Sequence, residues 1–202
     1  MSTSPLLNQS KEIRKNLRQQ RRKLNVFQQK QTETKIKNLI TRHPQFKYSD
    51  KIGLYLHAFG EVHTRLIIEY CFKLGKTVFL PMICNMNNKL LWVKVSQHQY
   101  RNNQFSKHSL GMLQPIASRG SPVSELDLLI MPLLACDLNG TRMGMGGGFY
   151  DRTLANTSNK PYRLGLAHDF QLLENRLTRN FWDQALDGLL TPSRKLTFKR
   201  KS

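Results

Sequence analysis

One stretch limits the possible folds more than any other. An apolar run, DLLIMP at 127–132, leads through LLACDLNGTRMGMGGG into the helix-forming FYDRTLA. A strand that empties into glycines and then a helix belongs to an α/β sheet, where ligands collect outside the carboxyl ends of the strands. Gly144, Gly146, Gly147 and Gly148 carry no Cβ, so the backbone can approach a ligand closely and turn several N–H groups on one anion. A helix starting at about Gly148 adds partial positive charge. Arg142 and Arg152 flank the glycines and suit phosphate, and Asp151 supplies a carboxylate where phosphate-bound Mg²⁺ needs one. The glycines lack the Lys-Ser or Lys-Thr of a Walker A loop and the GxGxxG spacing of a dinucleotide fingerprint. A glycine cluster alone could be a plain turn. The arginines, aromatics and acid on both sides make Gly140–Arg152 read as the nucleotide-phosphate site of an ATP-using enzyme.

The rest of the chain fits such a sheet. Ile13, Leu17 and Leu24 recur at helical spacing within KEIRKNLRQQRRKL, and Ile36, Leu39 and Ile40 within 28–42, so two basic amphipathic helices open the chain. His43-Pro44 stops the second. Residues 52–56, IGLYL, read as a strand, followed by a turn at Phe59-Gly60. Thr64 is a candidate N-cap for a helix with Ile67, Tyr70, Cys71 and Leu74 on one face, ended by Gly75. Thr77–Leu80 is a second strand, closed by Pro81, and the three elements form a βαβ unit. A turn at 85–88 precedes a strand over 90–95. The polar residues 96–124 read as a long loop. Further strands are expected at 127–132, 164–167 and 186–190. The sum is one α/β domain over 1–202. Its sheet is mostly parallel with helices on both faces, and its tail is mobile beyond about 198. No internal repeat is visible.

Charge restricts partners less than it first suggests. The formal net charge is +19, but residues 1–51 hold 13 Lys/Arg against 3 Asp/Glu, and residues 192–202 hold 5 against none. Basic ends suit nucleic acid, ATP or a glutamylated small molecule. No nucleic-acid-binding motif accompanies them, so no nucleic-acid partner is expected. No apolar run nears the roughly 20 residues of a membrane span. The first residues do not read as a secretory signal, so a cytoplasmic monomer is expected. Cys71, Cys84 and Cys136 show no CxxC and read as reduced core thiols. The histidines offer no metal-ligand spacing, and Trp92 reads as core rather than as a stacking surface.

DLNGTRMGMGGGFYDR resembles the glycine-rich segment of the 5-formyltetrahydrofolate cyclo-ligase family. IRKNLRQQRRKL, IGLYLHAFGEVHT, GKTVFLP, GMLQP, DLLIMP and WDQALDGLLTP resemble that family's other blocks, in order. The resemblance implies ATP- and Mg²⁺-dependent conversion of 5-formyltetrahydrofolate, with or without a polyglutamate tail, to 5,10-methenyltetrahydrofolate with release of ADP and phosphate. It implies ATP binding by Arg14, Arg142, Met143, Gly144, Met145, Gly146, Gly147, Gly148, Phe149 and Tyr150, with catalytic roles for Arg142 and Tyr150. Folate contacts are implied for Leu56, Glu61 and Met145 to Phe149, and Mg²⁺ ligands at Asp151 and Asp187. The family's Lys-x3-Arg start fits in two registers. One places Ser10 where Lys is expected and the other places Arg14 there, so Lys11 and Arg18 remain alternates to Arg14. Most other basic residues of this helix are expected on a solvated face. His63 and Gln114 depart from the usual residue types, which bears on the folate tail. The competing readings are a nucleic-acid-binding protein, another phosphate-ester or nucleotide enzyme on the same sheet, and a catalytically dead, folate-storing relative, against which Arg142, Asp151 and Glu61 argue.

Overall fold

The computed structural model describes residues 5–157 and 159–199. Helices α1 (Pro5–Lys23) and α2 (Val26–Ile40) come first. Between them Asn25 accepts from the Gln28 amide, and Gln28 returns a bond to the Asn25 amide, a capping box that starts α2. His43-Pro44 opens a short α3 (Pro44–Tyr48) with proline in its first turn. Then follow β1 (Lys51–Gly53), α4 (Arg65–Lys73), β2 (Thr77–Cys84) and β3 (Lys89–Val95). Next are α5 (Gln97–Arg101), β4 (Phe105–Lys107), β5 (Leu113–Pro115) and a 3-10 turn at Val123–Glu125. The last part holds β6 (Leu128–Pro132), β7 (Ala135–Asp137), β8 (Arg142–Met143) and α6 (Phe149–Leu154). β9 (Tyr162–Leu166), β10 (Leu172–Leu173), β11 (Gly188–Leu190) and β12 (Lys195–Thr197) complete it.

Seven strands form the main sheet in the order β12-β11-β9-β6-β1-β2-β3. The five inner strands are parallel and the two outer ones antiparallel. Period-two alternation splits the strand side chains between two cores. Ile52, Val78, Leu80, Leu128, Ile130, Leu164 and Leu166 meet Ile36 and Ile40 of α2, Phe46 of α3 and Ile67, Ile68 and Cys71 of α4. Phe79, Leu129, Met131 and Leu189 meet Trp92, Leu126 and Leu154 of α6. Gly53 belongs to this second face because a Cβ there would lie 2.6 Å from Leu126. A third cluster joins Leu17 of α1 to Leu134, Ala135 and Met143 of the small sheet β10-β7-β8.

Several local expectations change. β1 ends at Gly53, because only one more backbone bond follows, Leu54 N–H to Phe79 O at 2.9 Å; Tyr55 and Leu56 already lie in the turn beyond the strand. Pro81 does not close β2. It pairs with Trp92, whose N–H and C=O both bond Ser121, so a missing N–H at 81 loses no ladder bond. Thr64 does not cap α4: its hydroxyl donates to Tyr55 O at 2.6 Å. The capping oxygen comes from buried Glu33 of α2, which accepts from the Leu66 amide at 3.0 Å. The buried face of α4 is Ile67, Ile68 and Cys71, while Leu74 is exposed. Residues 96–124 are not a long loop but hold α5 and a β4–β5 hairpin. The strand expected over 186–190 begins at Gly188, two residues later than its apolar run suggests, and a further strand, β12, follows it. Residues 200–202, most of the predicted mobile tail, lie outside the described part.

Candidate active site

A cavity of about 1040 Å³ opens at the carboxyl ends of β1, β2 and β6, at the upper end of the range for ligand pockets. Its wall takes Tyr55, Leu56 and Glu61 from the turn after β1, and Pro81 and Ile83 from β2. Pro132 and Leu133 follow β6, and the whole stretch Arg142–Arg152 contributes. Opposite lies the hairpin, with Leu110, Met112, Leu113 and Gln114. All the sequence-predicted site residues except Asp187 meet in this one wall.

The glycine run is shaped by conformation at two positions. Gly146 has φ +108° and Gly148 φ +65°, values that L side chains rarely adopt. Gly147 is not in that region. It is tight because a Cβ there would come within 2.7 Å of the Phe149 ring. Arg152 stacks on the same ring at 5.3 Å and donates to Gly147 O and Asn88 O, tying the run to the β2–β3 turn.

Arg142 leaves β8 almost fully buried, with its guanidinium 5.5 Å from the Tyr150 ring centroid. Its Nη2 donates to Asp151 Oδ1 at 2.7 Å, while its Nε is buried without a partner among the described residues. A buried guanidinium donor without an acceptor is costly unless a ligand completes it. Burial, reinforced by the Glu61 charge and opposed by Arg142, pushes the Tyr150 hydroxyl well above its usual pKa, so it stays a donor at neutral pH. Burial likewise raises the Glu61 carboxyl, against the opposing Ala58 amide (3.0 Å to Oε2) and Arg21 (4.0 Å to Oε1). The buried Cys71 and Cys136 thiols are pushed up to about 12, mainly by burial, and remain protonated.

The N-terminal helix contributes more than a solvated face. Arg14 Nε donates to Gly144 O at 3.3 Å and Arg18 Nη2 to Met145 O at 2.8 Å, so both candidate registers touch the glycine run. Ser10 and Arg14 line the cavity; Lys11 is exposed and does not. Arg21 is 1% exposed, an exception to the solvated face expected for most of the helix's cations. It donates twice to Phe59 O, at 2.9 and 2.6 Å, and once to Leu133 O, fixing the turn that carries Glu61. His168 bonds Gly60 O of the same turn.

Asp187 is not brought to the cavity. It is buried at the start of β11, where its Oδ2 accepts from the Arg163 amide at 2.7 Å. The aspartate that does join Asp151 in the wall is Asp183. Asp151 Oδ1 accepts from Arg142 and from the Gln184 amide, and Asp183 Oδ2 from Asn180, so each acid keeps a second oxygen for another ligand. Among the described residues no group of three or more His, Cys, Asp or Glu could hold a metal. Two carboxylates with an oxygen left over on each are the donor type Mg²⁺ takes, water completing its shell. Sequence reasoning missed Asp183 and Trp182 of the same wall, although WDQALD carries both acids four residues apart.

Residues 7–192 match the model of the 5-formyltetrahydrofolate cyclo-ligase family. The 5-formyltetrahydrofolate cyclo-ligase of Escherichia coli K12 is 35% identical over 182 residues, covering 88% of this chain and 97% of that protein. The one from Haemophilus influenzae is 34% identical over 184 residues, covering 89% and 95%. The solved structure of Aquifex aeolicus 5,10-methenyltetrahydrofolate synthetase superposes with a TM-score of 0.79 at 27% identity, over 96% of this chain and 94% of that one. With the family match running over residues 7–192, and with relatives and a solved structure aligned over most of both chains, the chain belongs to the 5-formyltetrahydrofolate cyclo-ligase family of enzymes.

Proposed function

We propose that this enzyme converts 5-formyltetrahydrofolate to 5,10-methenyltetrahydrofolate, using ATP and Mg²⁺ and releasing ADP and phosphate. The observation that carries the reading is the shared cavity wall, in which the glycine run, Arg142 and Glu61 surround one space.

The chemical problem is a formamide oxygen, which leaves poorly. Transfer of the γ-phosphoryl group breaks its bond to ADP and forms a bond to the formyl oxygen. N10 then attacks the formyl carbon, the C–O bond breaks, phosphate departs, and N10 loses its proton. The backbone amides of Gly144–Gly148 and the unpartnered Arg142 Nε would receive the phosphoryl oxygens. The protonated Tyr150 hydroxyl would donate to charge developing on the formyl oxygen. Glu61 would accept paired N–H bonds from the pterin edge, with Leu56 and Tyr55 against the ring. Arg14 and Arg18 would exchange glycine-run carbonyls for phosphate oxygens. Asp151 with Asp183 would hold Mg²⁺, which when bound neutralises and orients phosphate oxygens. The hairpin and the run together exclude water from a reactive phosphorylated formyl group.

The test is the absorbance of methenyltetrahydrofolate appearing from 5-formyltetrahydrofolate. Product is expected only with both ATP and a divalent cation. An undiminished rate with chelator, or without ATP, would rule the reading out.

A further inference from the structure

Two aromatic rings at the cavity mouth have no part in the chemistry above. Phe181 is 93% and Trp182 53% exposed, and they meet edge to face with centroids 4.6 Å apart. Trp182 lines the cavity. We propose that the Trp182 indole is the stacking platform for the adenine ring of the bound nucleotide. The proposal rests on the ATP reading and extends it to the base.

Several hydrogen bonds hold this segment. Asp183 Oδ2 accepts from the Asn180 amide, Gln184 Nε2 donates to Trp182 O, and Gln184 Oε1 accepts from Arg163. The Gln184 amide donates to Asp151 Oδ1. The indole therefore sits on a fixed turn while its face remains open. Large apolar rings left in water at the edge of a concave site are stabilised when a planar ligand covers them. The other tryptophan, Trp92, is 0% exposed in the second core and can stack on nothing that enters the cavity.

A purine suits this position better than a pterin. Trp182 adjoins Asp183 and is tied through Gln184 to Asp151, the two acids beside the phosphate site. The ring covalently joined to those phosphates is the adenine. Glu61, suited to a pterin edge, hangs from a different turn, held by Arg21 and the Ala58 amide.

Calorimetric titration of the full chain with ADP, inorganic tripolyphosphate and 5-formyltetrahydrofolate tests the proposal in the parent, Trp182→Ala and Trp182→Phe. A base–aromatic stack corresponds to a loss on the order of ten- to a hundredfold in ADP affinity for Trp182→Ala. Tripolyphosphate and folate affinities should not change, and Trp182→Phe should keep most of the ADP affinity. ADP should also quench the parent's indole emission, and this response should vanish in Trp182→Phe, where only the sealed Trp92 remains. Equal losses for ADP and tripolyphosphate would make the residue a holder of the turn instead. A loss confined to folate would make it a pterin platform, and no loss would remove it from the site; each of these overturns the proposal. A parent that binds no ADP overturns the ATP reading as well, whereas a parent that binds ADP no better than Trp182→Ala does overturns this inference alone.

Discussion

Arg142 and Asp151 bracket the glycine run and join across it, Nη2 to Oδ1 at 2.7 Å. Asp151 spends one oxygen on two donors, Arg142 and the Gln184 amide. Its carboxylate thus fastens both the run and the turn carrying Asp183.

Asp151→Asn keeps a carbonyl oxygen for both donors and loses the charge. Its melting temperature should stay near the parent's while the Mg²⁺ concentration for half-maximal rate rises at least tenfold. Asp151→Ala leaves the nearly buried Arg142 uncompensated and should cost roughly 1–3 kcal/mol of stability. Thermal melts and Mg²⁺ titrations of the two variants separate the roles. An Asn variant with an unchanged Mg²⁺ requirement would remove Asp151 from the cation site.

Glu61 carries opposite expectations for binding and stability. Burial raises its folded pKa above the ordinary 4.5. The folded state therefore binds more protons than the unfolded state between those values, and stability falls as pH rises through that window. Glu61→Gln should accordingly melt slightly higher than the parent at neutral pH. It should bind 5-formyltetrahydrofolate ten- to a hundredfold more weakly, from roughly 1.5–3 kcal/mol of lost charge-assisted bonding, with ADP affinity intact. Equal weakening of both ligands would show that Glu61 only shapes its turn.

The two middle glycines should fail for different reasons. Gly146→Ala places a Cβ in open space, with nothing within 4 Å, but on a backbone at φ +108°. Held in place the backbone would be strained by about 1–3 kcal/mol; the run escapes this by changing shape, so turnover should drop sharply. Gly147→Val instead drives into the Phe149 ring and should displace the Arg152 stack as well. Both should leave the unliganded melting temperature close to the parent's, since the run packs little core. Rates and melts on the same preparations check this, and near-normal turnover in both would make the run a plain connection.

His168 sets an acid limit. Burial lowers its pKa to about 4 from the ordinary 6.5, against the opposing bond to Gly60 O. The unfolded chain then binds more protons between those values, so stability is complete above about 6.5 and is lost as pH falls toward 4. The loss is on the order of 3 kcal/mol. Urea midpoints measured across that range should fall less steeply for His168→Gln. Parallel slopes would place the acid sensitivity in other groups.

What could be read in advance follows from what each signal encodes. The βαβ unit and the run after β6 were legible because apolar period and glycine spacing are local properties. Residues 96–124 were not, since the short strands of the hairpin carry Ser, Lys and Gln and pair only with each other. Pro81 misled because whether a missing N–H matters depends on which neighbour strand is still present. Arg21 looked like one more surface cation, and nothing near it in sequence marks the carbonyls of Phe59 and Leu133 that bury it. Asp183 and Asp187 are equivalent by composition, and only the start of β11 sends one into the sheet and leaves the other on the cavity.

Helix α1 is synthesised well before most of the residues it docks on and is among the last elements to find its place. Arg14 and Arg18 reach acceptors 130 and 127 residues further on, and Arg21 reaches one 112 residues away. A nascent chain therefore carries a basic amphipathic helix that has only the Phe59 turn to bond until β8 and the glycine run have left the ribosome. Contacts of such separation form late, so the sheet can assemble while the catalytic end stays unfinished. Loss of the first turns of α1 would then yield a protein that folds and cannot hold its substrates, a failure seen in assays of turnover before any assay of structure.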